Sequence, residues 1–234
     1  MSIAENLERV QQQIAQACRR AGRSAPEVLL MAVSKVHPAS AMQEAYAAGQ
    51  RLFGENKVQE FQQKLAELGA LEGLEAHLIG PLQSNKSVKA AQFFHAVDTL
   101  DSLRLAERLS SAAAALQKKL PVLLEIKLSH EESKHGLLPD SAELQALLER
   151  LPDLPHLTMR GLMTVPPYDE DPEAVRPYFR QLRELRERLA AQHPRLGWEE
   201  LSMGMSHDFS VAIEEGSTCV RIGTAIFGRR IYSS

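Results

Sequence analysis

The stretch "VLLMAVSKVHP" (residues 28–38) is an unbroken apolar run that ends on Ser34 and Lys35 and is closed by Pro38. Apolar residues that do not alternate with polar ones suit a parallel strand covered on both faces. On its own Lys35 reads as the place where that strand meets water, since lysines mostly sit exposed. Outside this stretch, seven similar runs follow, "RLFGEN" (51–56), "EAHLIG" (75–80), "FHAVDTL" (94–100), "PVLLEIKLS" (121–129), "LTMRGLMTV" (157–165), "ELSMGMS" (200–206) and "TCVRIGTAIFG" (218–228). Nearly all are followed by a helical pattern.

One such pattern follows Asp140, with Glu143 and then Leu144, Leu147, Leu148 and Leu151. Another starts at Asp171-Pro172 and carries Val175, Phe179, Leu182, Leu185 and Leu189. A further helix precedes the first strand: Ile3, Leu7, Val10, Ile14, Ala17 and Ala21 recur at spacings of four and three, Ser2 with Glu5 resembles a capping box, and Gly22 supplies the stop. Strand–helix alternation repeated eight times predicts an α/β fold, a single (β/α)8 TIM-type barrel with an extra N-terminal helix over residues 1–22. An open doubly wound sheet is the structural rival. No linker or composition shift divides the chain, so residues 1–234 read as one domain.

With 44% apolar and 24% charged residues the composition is that of a globular protein with a sizeable core. A net charge of −3 gives no electrostatic footprint for nucleic acid or an anionic membrane. No apolar stretch is long enough to span a bilayer, and Glu5, Glu8 and Arg9 interrupt any leader-like run. The two cysteines, Cys18 and Cys219, make no disulfide framework and no metal site, which leads to the expectation of a reduced, cytoplasmic protein.

In barrels of this kind function collects at the C-terminal ends of the strands. Lys35 ends the first and Asn56 the second, while "SMGMSHD" (202–208) and "RIGTAIFG" (221–228) end the last two. Those last two loops are where such barrels often hold phosphate. Gly223 lets backbone approach a ligand, and Thr224 adds a hydroxyl. In strand eight Val220 and Ile222 share one face, and Cys219, Arg221 and Gly223 share the other. The aliphatic pair suits the outer helices, which turns Arg221 inward. There it needs a partner, either a carboxylate such as Glu125 or a ligand. An imine-forming lysine, a phosphate site and an inward arginine together suggest pyridoxal 5′-phosphate. Imine formation requires neutral amine, so Lys35 must be more acidic than an exposed lysine.

From about residue 28 to residue 231 the chain resembles the pyridoxal-phosphate homeostasis proteins (YggS/PROSC type). The resemblance is carried by "AVSK", "FGEN" with "VQE", "HLIGPLQSNK", "SKHG", "RGLMTVP", "LSMGMS", "AIEEGST" and "VRIGTAIFG". It implies a fold-type III barrel, similar to the N-terminal barrel of alanine racemase and of eukaryotic ornithine decarboxylase. By resemblance Lys35 carries the cofactor as an internal aldimine, Asn56 lies beside the ring, and Arg221 meets the pyridine nitrogen. Ser206, Gly223 and Thr224, joined by Ser202 and Met203, bind the phosphate. Ala76, Lys57, Glu125, Lys127 and His207 depart from the family's usual residues. His77 reads as a satisfied interior histidine, and Lys134 as a solvated loop lysine.

What the resemblance implies is a carrier that regulates cofactor supply, with pyridoxal-phosphate-dependent apo-enzymes as its recipients and no catalysis. Two other readings are an amino-acid racemase on the same cofactor and a Schiff-base lyase in which Lys35 attacks a substrate. Two-base racemisation requires a group on each face of the substrate. In similar racemases an added β-domain supplies one through a dimer. With six residues after Gly228, this chain is expected to be a monomer and a carrier.

Overall fold

A computed structural model describes residues 1–129 and 135–228. Eight parallel strands close a barrel in sequence order: β1 (Leu29–Val33), β2 (Leu52–Glu55), β3 (Glu75–Leu78), β4 (Ala96–Leu100), β5 (Leu120–Glu125), β6 (Leu157–Met163), β7 (Glu200–Met205) and β8 (Cys219–Ile222). β1 pairs with both β2 and β8, which excludes the open sheet. Around the strands lie α2 (Ala39–Ala47), α3 (Val58–Leu68), α4 (Ser87–Phe93), α5 (Leu103–Ala115), α6 (Ala142–Arg150), α7 (Arg176–Gln192), α8 (Phe209–Glu214) and α9 (Thr224–Phe227), after an N-terminal α1 (Ile3–Arg20).

The apolar stripes read from the sequence face the barrel. Phe179, Leu182, Leu185 and Leu189 of α7 are buried, as are Leu144, Leu147 and Leu148 of α6. On the other side Phe61 and Phe94 stack at a centroid distance of 4.8 Å. The capping box of α1 is present, with Ser2 Oγ accepting from the Glu5 N–H and the Glu5 carboxylate accepting from the Ser2 N–H. Leu7, Val10, Ile14, Ala17 and Cys18 of α1 are buried where the helix packs against α2, α8 and α9. This covers the place where the first and last barrel units meet. Asn6 Nδ2 donates to Ile226 O at 2.9 Å, and Arg23 Nη1 to Ser217 O at 2.7 Å, tying the helix and the chain after it to the final unit. Both cysteines are buried and free.

The strands are shorter than the apolar runs that announce them. β1 ends at Val33, so Lys35 sits in the turn beyond the strand. "TCVRIGTAIFG" is strand only to Ile222, and Thr224–Phe227 is the one-turn helix α9. A helix this short has no periodicity to read, which is why its apolar residues look like more strand. α6 is capped by Ser141, whose Oγ accepts from the Leu144 N–H. Asp140 instead pairs with Arg188 at 2.9 Å. α7 is preceded by a 3-10 turn, Pro172–Val175, capped by Asp171.

After α8, the buried Glu215 carboxylate receives Arg176, Arg180 and Arg183 of α7 at 3.1, 3.0 and 3.2 Å. Burial works to raise its pKa, but the Arg180 and Arg176 hydrogen bonds win and hold it below the usual value. Glu214 is lowered by its hydrogen bond to Arg176 and, further, by Arg20. A depressed carboxyl contributes stability that is present above its unfolded pKa and lost as pH falls through the folded one. The contribution of Glu214 and Glu215 to the urea unfolding free energy should therefore be complete above about pH 5.5 and decline below it. Glu215→Gln should lower the neutral-pH value by about 1–3 kcal/mol and flatten the acid decline. An unchanged acid decline in that variant would remove the cluster as its source.

Candidate cofactor site at the C-terminal mouth of the barrel

The loop after β1 starts as a continuation of the strand, with the Ser34 N–H donating to Gly54 O at 3.1 Å. Ser34 is buried and Lys35 half-buried. Val36 then takes a left-handed conformation, φ +61°, rare for a β-branched residue. At the end of β2, Asn56 is half-buried, and its Oδ1 is a buried atom without a hydrogen-bond partner. Gly80, after β3, lies against the Asn56 backbone so closely that any β-carbon there would overlap the Asn56 carbonyl.

Arg221 does turn into the barrel. Its Nη1 donates to Ser202 Oγ of β7 at 2.7 Å and its Nη2 to Thr164 O beyond β6 at 2.8 Å. Thr164 Oγ1 donates in turn to Ile126 O at 2.7 Å, so one chain of hydrogen bonds crosses from β8 to the end of β5. Arg221 is only 4% exposed. Burial lowers its pKa, while neighbouring acidic groups, including Asp98, Asp208 and Glu125, work to raise it. Of the two kinds of partner the sequence left open, a carboxylate or a ligand, the described residues supply neither as a hydrogen bond: a hydroxyl and a carbonyl hold the guanidinium, and Glu125 acts on it only as a nearby charge. Glu125 keeps a buried Oε2 without a partner. Its carboxyl is pushed up to about 7 by burial and by Asp101, against the pull of Arg221. Cys219, on the same inward face, is pushed up to about 12 by burial and remains a neutral thiol.

Gly223 places the loop after β8 against β1, since a β-carbon there would lie 3.3 Å from Val33 O. The exposed Thr224 opens α9 beside it. Ser206 comes from the loop after β7, and its Oγ accepts from the Ala225 N–H at 3.4 Å, so the two loops meet. Asp208 closes the first of them by accepting from the Met205 N–H at 2.6 Å. Gly204, φ +97°, lets α8 start against β7, where a β-carbon would sit 2.6 Å from Ala212 Cβ. Lys35, Asn56, Ser206, Gly223 and Thr224 thus gather at one end of the barrel, with Ser202 and Arg221 beneath them.

Met203 is not brought there. Its side chain belongs to the outer core with the helices, and its carbonyl is taken by Ser217 Oγ at 2.7 Å. Strand parity gives the reason: Ser202 faces in, so its neighbour faces out. His77 is an interior histidine paired with buried Asp98, Nδ1 to Oδ2 at 3.2 Å. Although burial opposes it, Asp98 raises the His77 pKa overall. His207 is exposed and bonds Glu170 O at 2.7 Å. Lys134 lies outside the described residues. Among the described residues no group of three or more His, Cys, Asp or Glu side chains could hold a metal.

Sequence reasoning passed over a second set of residues at this end: Ser34, Glu55, Glu60, Lys64, Thr164 and Asp208. One signal was available. Lys64 interrupts the apolar stripe Val58, Phe61, Leu68 of α3 and is buried with it.

Residues 6–230 match the family described as alanine racemase, N-terminal domain. The pyridoxal phosphate homeostasis protein of Escherichia coli K12 is 48% identical, the alignment covering 99% of this chain and 98% of that one. The chain belongs to the pyridoxal phosphate homeostasis protein family. The Aquifex aeolicus member is 44% identical over 99% of this chain and 100% of its own. Among solved structures, PipY of Synechococcus elongatus PCC7942 with pyridoxal phosphate bound superposes with a TM-score of 0.87 at 43% identity, covering 97% of this chain and 100% of PipY. Alanine racemase from Bartonella henselae shares the barrel alone, at TM-score 0.72 and 19% identity, and this chain covers 60% of it.

Proposed function

We propose that this protein binds pyridoxal 5′-phosphate at the C-terminal mouth of the barrel and holds it for release to pyridoxal-phosphate-dependent apo-enzymes, without turning over a substrate. The residues present fit that cofactor. Lys35 offers an amine, and Asn56 Oδ1 is a buried polar atom still lacking a partner. Ser206 bonds the Ala225 N–H beside Thr224 and Gly223, which brings two hydroxyl-bearing residues and a close-packed glycine backbone together. When bound, the cofactor supplies an aldehyde that condenses with an amine, releasing water, and a ring that withdraws electrons.

The observation that carries this reading is the meeting of the loops after β7 and β8 against the end of β1, next to Lys35. Ser206, Gly223 and Thr224 hold the phosphate. Lys35 provides the attachment. Arg221 takes the ring-nitrogen end, fixed beforehand by Ser202 and Thr164. A guanidinium keeps its protons, so it donates a hydrogen bond without protonating the nitrogen, and a neutral ring withdraws electrons weakly. That favours holding over carbanion chemistry.

A titration followed by a turnover assay tests both halves. Pyridoxal 5′-phosphate is expected to bind at least about tenfold more tightly than pyridoxal, because charge-assisted hydrogen bonds to the phosphate are lost with it. Equal affinities would refute the phosphate corner. Loaded protein incubated with amino acids in deuterated water should leave their α-positions unlabelled. Labelling at several turnovers per second, with loss of optical purity, would make the protein an enzyme.

A further inference from the structure

The turn that carries Lys35 is held from below by a buried ion network. β2 ends on Glu55, which has no solvent exposure, and Lys64 of α3 reaches it from the apolar stripe. Lys64 Nζ lies 2.6 Å from Glu55 Oε1, 2.9 Å from Glu60 Oε1 and 2.8 Å from Ser34 O. An ammonium has three N–H donors, and these three acceptors use them all. Ser34 Oγ donates to the same Glu55 Oε1 at 2.7 Å. Glu60 also accepts from the Val36 N–H.

Two of these bonds fall on the peptide units at either side of one residue. Ser34 O belongs to the peptide preceding Lys35, and the Val36 N–H to the peptide following it. The network therefore grips the backbone on both sides of Lys35. It also accounts for the left-handed Val36, φ +61°. That conformation disfavours a β-branched residue and persists only where the surroundings impose it. Stability does not require such a device, since buried ion pairs are often replaceable by apolar groups at no loss. A defined position for one backbone segment does.

We propose that Lys64, with Glu55 and Glu60, is a positioning residue for Lys35: the network fixes the strained Ser34–Val36 turn from which the attachment lysine projects. This rests on the reading of Lys35 as the attachment residue. The attachment itself joins the Lys35 amine to the cofactor's aldehyde carbon and expels the aldehyde oxygen as water, with no change in oxidation state. The network alters only how readily Lys35 is presented for it.

The test compares Glu60→Gln, Val36→Gly, Lys64→Met and the double variant Glu55→Leu/Lys64→Met with the unmodified chain. Three readouts are taken: the apo melting temperature, the rate and pH profile of the visible band that grows with pyridoxal 5′-phosphate, and the lysine labelled after borohydride reduction. Glu60→Gln and Val36→Gly should keep the melting temperature, yet attach the cofactor about tenfold or more slowly and with a displaced pH profile. Lys64→Met alone strands Glu55 and is expected to melt earlier. The double variant should recover the melting temperature but not the rate. A rate restored along with the melting temperature, or unchanged in Glu60→Gln and Val36→Gly, would reduce the network to a structural role and overturn the inference. A label on another lysine in the unmodified chain would instead overturn the attachment reading, and this inference with it.

Discussion

Lys35→Ala is expected to remove the visible band that the protein acquires with pyridoxal 5′-phosphate, and borohydride reduction of the unmodified complex should leave the cofactor on the peptide containing Lys35. The argument starts from the backbone. β1 delivers the chain to the barrel mouth, the Gly54 carbonyl keeps Ser34 in register, and the network beneath fixes the turn. Lys35 therefore stands beside the Gly223 loop, which touches Val33. Lys64, the other lysine that reaches this turn, is buried with its three donors engaged, so its amine is not presented at the mouth. Phosphate binding is a separate matter, since the residues proposed for it, Ser206, Gly223 and Thr224, lie in the loops after β7 and β8. The alanine variant should still bind the cofactor reversibly, with affinity weakened by about tenfold or more through loss of the covalent link. A label found mainly on another lysine of the unmodified protein would sink the assignment, as would an undiminished band in Lys35→Ala.

Gly161→Ala should be the most damaging small substitution in the barrel. Gly161 has φ +152° and pairs with Glu200 across β6 and β7. A β-carbon there would overlap the Glu200 carbonyl oxygen and come within 2.7 Å of its carbon and 3.0 Å of its nitrogen. These are backbone atoms of a paired strand, so relief would require separating β6 from β7. The register between β5 and β6 also shifts at this point, from Val122 opposite Met159 to Leu123 opposite Gly161. That bulge sets the height of Thr164, which accepts from Arg221. We expect a loss of about 3 kcal/mol or more, and a fall in melting temperature of roughly 6–12 °C. Gly49→Ala is the control. Gly49 also has a positive φ, +97°, but open space around its missing β-carbon. It should lose only about 1–2 kcal/mol from backbone strain. Equal losses in the two variants would show that the clash with Glu200 is not what makes Gly161 indispensable.

The placement of the candidate residues at one end of the barrel was largely legible because they sit where an apolar pattern breaks. Lys35 and Asn56 follow their strands, and Arg221 is turned inward by the alternation around it. The identity of Arg221's partners was not legible. The alternation shows that an inward guanidinium needs a carboxylate such as Glu125 or a ligand, but not that Ser202 and Thr164 are the groups its hydrogen bonds reach. Met203 was placed in the phosphate corner with Ser202 although the same alternation puts adjacent strand residues on opposite faces.

What the sequence by itself determined is local or periodic: the eight apolar runs, the capped first helix, the inward face of β8 and the glycines that permit close approach. These follow from how each residue's own geometry repeats along a helix or strand. Only the tertiary structure decided which distant groups share a proton or a charge. Lys64 on α3's apolar stripe could be seen to be buried, but not that it spans Glu55, Glu60 and Ser34. Periodicity gives a side chain's direction, whereas a hydrogen bond depends on separations of tenths of an ångström set by the packing of several elements at once.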